Sequence, residues 1–216
     1  MSSPQRPHPA APAPAARRGR PRSARAEQAV MAAAQGLLAE RGLAGLTMDA
    51  VAERAGVGKA TVYKWWSSKG VLALDALLRQ VDDEVRVPDT GDLAADLTEH
   101  IQRLVVFLRD TVGGRTVAEL IGQGQQDPAT AAAVRDAWIA PRRRGASLRI
   151  DAALARGELR PGLDGDLVLD LLYGPVYYRL LIGHGELSDD LPAALVDAAL
   201  RGVAPRGAGG SRDGLR

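Results

Sequence analysis

The spacing of Ala52, Gly56 and Val62 within "TMDAVAERAGVGKATVYKWWSSKG", residues 47–70, constrains this chain more than any other feature. Two short helices crossing at a steep angle need a small residue where they touch, a glycine in the turn between them, and an apolar residue from the second reaching back to the first. The three positions supply these in order. Thr47 stands where an N-cap belongs and Asp49 falls in the first turn, where it complements the helix dipole, so the first helix is expected to run to Ala55. Gly56-Val57-Gly58 interrupts it, and Lys59 to Trp65 makes the second. The segment predicts a helix-turn-helix.

The rest of the chain reads as helix too. Ala26, Val30, Ala33, Leu37 and Leu38 recur at helical spacing up to Gly42. Ser67 or Ser68 caps a helix with the stripe Val71, Leu74, Leu78, Val81 and Val85, ended by Pro88 and Gly91. Leu93, Leu97, Ile101, Leu104 and Leu108 mark another helix, and a shorter one lies near 117–123. Asp127-Pro128, an N-cap followed by proline, opens a long helix that carries Val134, Trp138, Leu148 and Leu154 and stops near Gly157. The tract 167–182 is apolar on nearly all sides, with a kink expected at Gly174-Pro175, and Ser188 caps a last helix containing Leu191, Leu195, Ala199 and Leu200. Strand-like alternation and fixed-period repeats are missing, so the expected fold is all-α with about nine helices. The expected divisions are a disordered basic arm (1–22), the three-helix helix-turn-helix domain (23–70), a helical ligand-binding and dimerisation domain (71–204) and a disordered tail (205–216).

Composition removes several alternatives. With no cysteine there is no disulfide, thiolate metal site or cysteine nucleophile. The N-terminal stretch lacks the continuous apolar core of a secretory signal, and the tract 167–182 is too short and too charged to span a bilayer, so no membrane segment and a cytoplasmic location are expected. His8, His100 and His184 are isolated, no H-E-x-x-H, G-x-S-x-G or P-loop occurs, and Asp82-Asp83 and Asp189-Asp190 are explained by capping and solubility. No catalytic residue, metal site or cofactor is expected.

Charge points to a partner. All three lysines, Lys59, Lys64 and Lys69, lie in the quoted stretch, whereas positive charge elsewhere is arginine. Lys59, Thr61, Tyr63 and Lys64 cluster on and beside the helix face opposite Val62, the face free to enter a major groove of double-stranded DNA. In "RRGRPR", 17–22, proline prevents helix formation and glycine lets the backbone approach closely, which suits Arg20 and Arg22 to a narrow A·T minor groove.

On these residues the chain resembles the tetracycline-repressor (TetR/AcrR-like) family of one-component transcription regulators. The resemblance is close over "GLTMDAVAERAGVGKATVYKWWSSKG", 45–70, and extends more loosely to the end of the last helix. The segment "ARGELRPGLDGDLVLDLLYGPVYYRLL", 155–181, looks like the regulatory-domain end of one large subgroup. The resemblance implies that Thr47, Thr61, Tyr63 and Lys69 contact phosphates while Lys59, Ala60 and Lys64 face base edges. Hydroxyls, a phenol and an ammonium suit phosphate oxygens, and a lysine at the start of a recognition helix reaches guanine O6 and N7. The chain departs from its relatives at Trp65-Trp66: Trp66 is assigned to the core among the first, third and fourth helices, and Trp65 lies against the DNA backbone.

A single helix-turn-helix rarely makes enough contact for specific binding, so a two-fold dimer reading a pseudo-palindrome is expected. The resemblance implies a homodimer built from the last two helices, with Leu167, Leu171, Tyr178, Leu191, Leu195 and Ala199 at the interface. Phe107, Trp138, Tyr173, Tyr177 and Tyr178 are the natural lining of an apolar ligand cavity, with Gln123 and Arg179 as polar anchors. The family mechanism implies a small-molecule effector, of unknown identity, that favours a dimer whose recognition helices are wrongly spaced for DNA. Gly113-Gly114 and the helix beginning near Val71 would be the moving parts. The expected function is a ligand-released repressor; the alternative is a constitutive or activating DNA-binding regulator without an effector.

Overall fold

The computed structural model describes residues 24–81 and 87–202. The predicted basic arm with Arg20 and Arg22, Val85 in the expected fourth-helix stripe, and the predicted C-terminal tail lie outside these residues. Within them the chain is helical, without a strand: α1 (Ala24–Gly45), α2 (Met48–Ala55), α3 (Lys59–Trp65), α4 (Lys69–Leu78), α5 (Leu93–Asp110), α6 (Val112–Gly124), α7 (Pro128–Ala133), a π-helical segment (Val134–Ile139), α8 (Ala140–Ala155), α9 (Gly165–Ile182) and α10 (Leu191–Arg201). Counting α7, the π segment and α8 as one helix gives nine among the described residues, as expected.

Local signals set most boundaries. Gly42, at φ 64° and ψ −171°, breaks the path of α1 where the sequence expects an end. Thr47 Oγ1 accepts from Ala50 N at 3.1 Å, and Gly56, in the left-handed region at φ 64°, closes α2. Of the two candidate serines it is Ser68 whose hydroxyl caps α4, by accepting from Val71 N. Asp92, Thr111, Asp127 and Asp164 cap α5, α6, α7 and α9 in the same way.

Two expectations are corrected. Helix α4 stops at Leu78 instead of continuing to Val85, because Gln80 N and Val81 N bond back only three residues and tighten the last turn. Helix α10 begins at Leu191 without a side-chain cap from Ser188; Pro192 in its first turn has the φ a helix start requires. Helix α9 runs without interruption from Gly165 to Ile182 with Pro175 inside it, and Gly174 before it offers no Cβ for the proline ring to strike. Gly113 and Gly114 form the tightly packed first turn of α6: a Cβ on Gly114 would lie 2.2 Å from the Leu108 carbonyl oxygen, so glycine is required there for close approach.

The long helix over 128–155 carries the π segment, in which Ala140 N donates to Arg135 O. Pro141 follows immediately and has no N–H to give to Ala137, which is where a widened turn relieves the ladder. From Val134 to Ile150 its buried residues recur every four positions, Val134, Trp138, Arg142, Ala146 and Ile150, before Ala153 follows at a spacing of three. Leu148 lies off this series and is turned outward, 66% exposed.

Helices α1, α2 and α4 enclose the first part of the core with Val62 and Trp66; α5 lies centrally in the second part, against α6, α8, α9 and α10. Helix α4 joins them by packing on α1, α6 and α7. At that joint Ser68 Oγ lies 3.1 Å from Thr130 Oγ1, Leu43 N donates to Glu119 Oε2 at 3.0 Å, and Lys69 Nζ donates to Leu43 O at 3.3 Å.

Candidate nucleic-acid interface and ligand cavity

Helix α3 anchors itself through Val62, which is fully buried, while Lys59, Ala60, Tyr63 and Lys64 are exposed. At i, i+1, i+4 and i+5 these four share one face, as expected for a helix that presents its outer side. Tyr63 is 56% exposed, an unusual position for a large ring with nothing to cover it. Thr61 is half-buried beside this face, and exposed Thr47 sits at the N-terminus of α2 with its hydroxyl proton still free to donate. Lys69 is half-buried and spends one donor on Leu43 O.

Sequence reading missed that Lys59 is engaged. Its Nζ lies 2.6 Å from Asp49 Oδ2, and this contact raises its pKa above the ordinary lysine value. Both side chains are exposed, so the pair is easily exchanged for another anion. Trp66 is buried, as expected, and donates Nε1–H to Asp75 Oδ2 at 2.9 Å; Trp65 meets it edge to face.

The aromatic residues of the second half do converge, but into two layers. Phe107 and Trp138 are core, their rings tilted at 35° with centroids 5.4 Å apart. Tyr173 and Tyr177 lie outside them and line a cavity of about 230 Å³ together with Ile139, Arg142, Arg143, Asp170 and Gly174. A second cavity of about 250 Å³ shares Ile139 and Tyr177 and is otherwise walled by residues such as Leu120, Ile121, Val134 and Leu181. Gln123 lines neither, and Arg179 is turned to the Glu186 carbonyl at 2.6 Å.

Hydrogen bonds join the layers. Trp138 Nε1 donates to the Tyr177 hydroxyl at 2.9 Å, and the Tyr173 hydroxyl lies 2.6 Å from His100 Nε2 and 3.2 Å from the Arg142 carbonyl oxygen. Burial raises the Tyr177 and Tyr173 phenols, and it lowers His100 to about 4, with the Arg142 and Arg103 charges adding to the effect. Arg142 was missed by sequence reading, which places arginines in solvent by default. A usable signal existed: it falls at a fourth-residue position in the otherwise apolar series from Val134 to Ile150.

Helix α9 carries an outward apolar stripe in which Leu167, Leu171 and Tyr178 are 51%, 49% and 59% exposed, continued by Leu181 and Ile182. Of the other predicted interface residues, Leu195 and Ala199 are half-buried on α10, and Leu191 is buried in the subunit's own core and offers no surface to a second copy. No helix among the described residues is long and apolar enough to cross a membrane, and no cluster of three potential metal ligands occurs among them.

Residues 30–76 match the family described as bacterial regulatory proteins, tetR family, and residues 87–199 match the tetracyclin repressor-like C-terminal domain. An uncharacterised HTH-type transcriptional regulator of Bacillus subtilis, YdeS, is 42% identical over 187 residues, covering 87% of this chain and 94% of the relative. The DNA-binding transcriptional repressor TetR of Mycobacteroides abscessus is 32% identical over 189 residues, covering 85% and 94%. The crystal structure of the TetR family transcription regulator SCO0332 superposes with a TM-score of 0.73 at 42% identity, over 83% of this chain and 99% of that one. With both halves matched in order, and the helix-turn-helix and its regulatory bundle in place, the chain belongs to the TetR family of DNA-binding transcription regulators.

Proposed function

We propose that the protein binds a pseudo-palindromic operator as a homodimer and that a small molecule entering the Tyr173/Tyr177 cavity releases it. The observation that carries this reading is the packed joint between α4 and α7. Helix α4 follows the recognition helix directly, and α7 continues through the π segment into the wall of the cavity. A ligand that shifts the wall therefore moves the element to which α3 is attached, provided its affinity differs between the two arrangements.

In this reading Tyr63, Thr47, Thr61 and Lys69 hold phosphates, Lys59, Ala60 and Lys64 read base edges, and Lys59 exchanges Asp49 for a base acceptor on binding. The α9 stripe supplies an isologous interface. The Mycobacteroides abscessus relative is described as a repressor, which supports that sign of regulation.

The test is a salt titration of full-length protein on genomic fragments and on scrambled DNA. Specific binding with dimer stoichiometry is expected. Tyr63→Ala should weaken it on all sequences, by about 1 kcal/mol, and Lys59→Ala should erode discrimination among sequences. Binding indifferent to sequence and to both substitutions would sink the reading.

A further inference from the structure

Arg142 is 5% exposed on a helix face that is otherwise apolar. Its Nη1 donates to the Trp138 carbonyl at 2.6 Å, and its guanidinium carbon lies 3.3 Å from the centroid of the Trp138 ring. Its Nε has no acceptor, and among the described residues no carboxylate pairs with it. The neighbouring Arg143 takes the two nearby acids, Asp170 at 2.6 Å and Asp166 at 2.9 Å.

A buried charge without a counter-charge is costly, and one carbonyl plus an indole face offset only part of that cost. Burial lowers Arg142 only to about 10, so it remains a cation at neutral pH. His100, behind Tyr173, is kept uncharged. The unmatched positive charge is thus on the wall of the 230 Å³ cavity, beside Ile139, Tyr173 and Tyr177.

We propose that this cavity takes a small organic anion, an apolar body with a single carboxylate, whose acid group pairs with the Arg142 guanidinium while the body packs on Tyr173 and Tyr177. The proposal rests on the ligand-responsive reading above and names the chemistry of that ligand. A neutral molecule would leave the charge unpaired in an even drier site. A second negative charge would have no cation to meet, because Arg143 is already matched. Nη1 spends one of the five guanidinium donors on the Trp138 carbonyl, and the donors left over suit the two coplanar oxygens of a carboxylate.

The test is calorimetric titration of the full-length protein with decanoate and phenylacetate, each beside its primary amide of nearly equal size. At least one carboxylate should bind, and its amide should bind roughly tenfold to a hundredfold more weakly. Arg142→Met should abolish that preference and Arg142→Lys should keep part of it; if the methionine variant fails to fold, the lysine variant and the amide pairs still decide. Equal binding of acid and amide, or no binding of either acid, overturns the proposal. Operator affinity is measured separately with the same compounds. A carboxylate that binds through Arg142 without changing operator affinity upholds the anion site and removes the ligand-release reading.

Discussion

At the scale of residues, His100 shows how burial sets chemistry. Its ring is 1% exposed, its Nε2 faces the Tyr173 hydroxyl, and its Nδ1 has no partner. Desolvation, then the positive charges of Arg142 and Arg103, lower its pKa from 6.5 to about 4. Between these two values the unfolded chain binds a proton that the folded chain refuses, so acidification through that window favours unfolding; below about 4 both states are protonated and the slope ends. The contribution is about 3 kcal/mol at most. His100→Gln should flatten the fall in stability between neutral pH and pH ~5 in denaturant titrations. An imidazole resonance of His100 that titrates near its ordinary value would show the ring to be hydrated instead. Thr47, Gly56 and Ala52 were legible because a cap hydroxyl, a positive φ and a small contact are each decided within a few residues of chain. The pairing of Lys59 with Asp49 and the burial of Arg142 were not, because both depend on what another element places opposite.

At the scale of elements, periodicity located the helices but not their faces. From the turn widened around Val134–Ile139 the long helix buries every fourth residue as far as Ile150, which puts Arg142 in the core and Leu148 outside it. No count of apolar residues reveals that, although Pro141 marks the place. For α9 the converse holds. An all-apolar helix reads as buried on every side, and the structure separates its two faces: Val168, Leu169, Leu172 and Val176 inside, Leu167, Leu171 and Tyr178 outside. If the outer stripe is the dimer surface, a charge at its centre enters the interface twice by symmetry. Leu171→Glu should then weaken self-association at least about a hundredfold, since each copy buries an unpaired carboxylate. Sedimentation at micromolar concentration should find monomers, with the helical content kept. A variant that sediments as an unchanged dimer would place the interface elsewhere.

At the scale of the whole molecule, two folded parts meet where α4 packs on α6 and α7, and the geometry there is demanding. A Cβ on Gly70 would lie 2.1 Å from Thr130 Oγ1, 2.7 Å from its Cγ2 and 2.9 Å from its Cβ. Thr130 is itself fixed, buried and donating to Asp127 Oδ2 at 2.5 Å, so it has no route of retreat. The two parts were legible as a sequence of helices, whereas this close approach was not, because nothing in the local pattern distinguishes Gly70 from an ordinary helix-start residue. Gly70→Ala should force α4 and α7 apart at a cost of about 1–3 kcal/mol. Thr130→Ala removes the two nearest atoms, so the alanine at position 70 should cost less on that background than on the wild type, a coupling that thermal melts of the two single variants and the double variant would resolve. Because α3 leads straight into α4, Gly70→Ala should also weaken operator binding at temperatures where the protein is still folded, and Thr130→Ala should restore part of it. Equal costs on both backgrounds would mean that α4 and α7 yield to each other freely, and a ligand at the cavity wall would then have no stiff element through which to move the recognition helix.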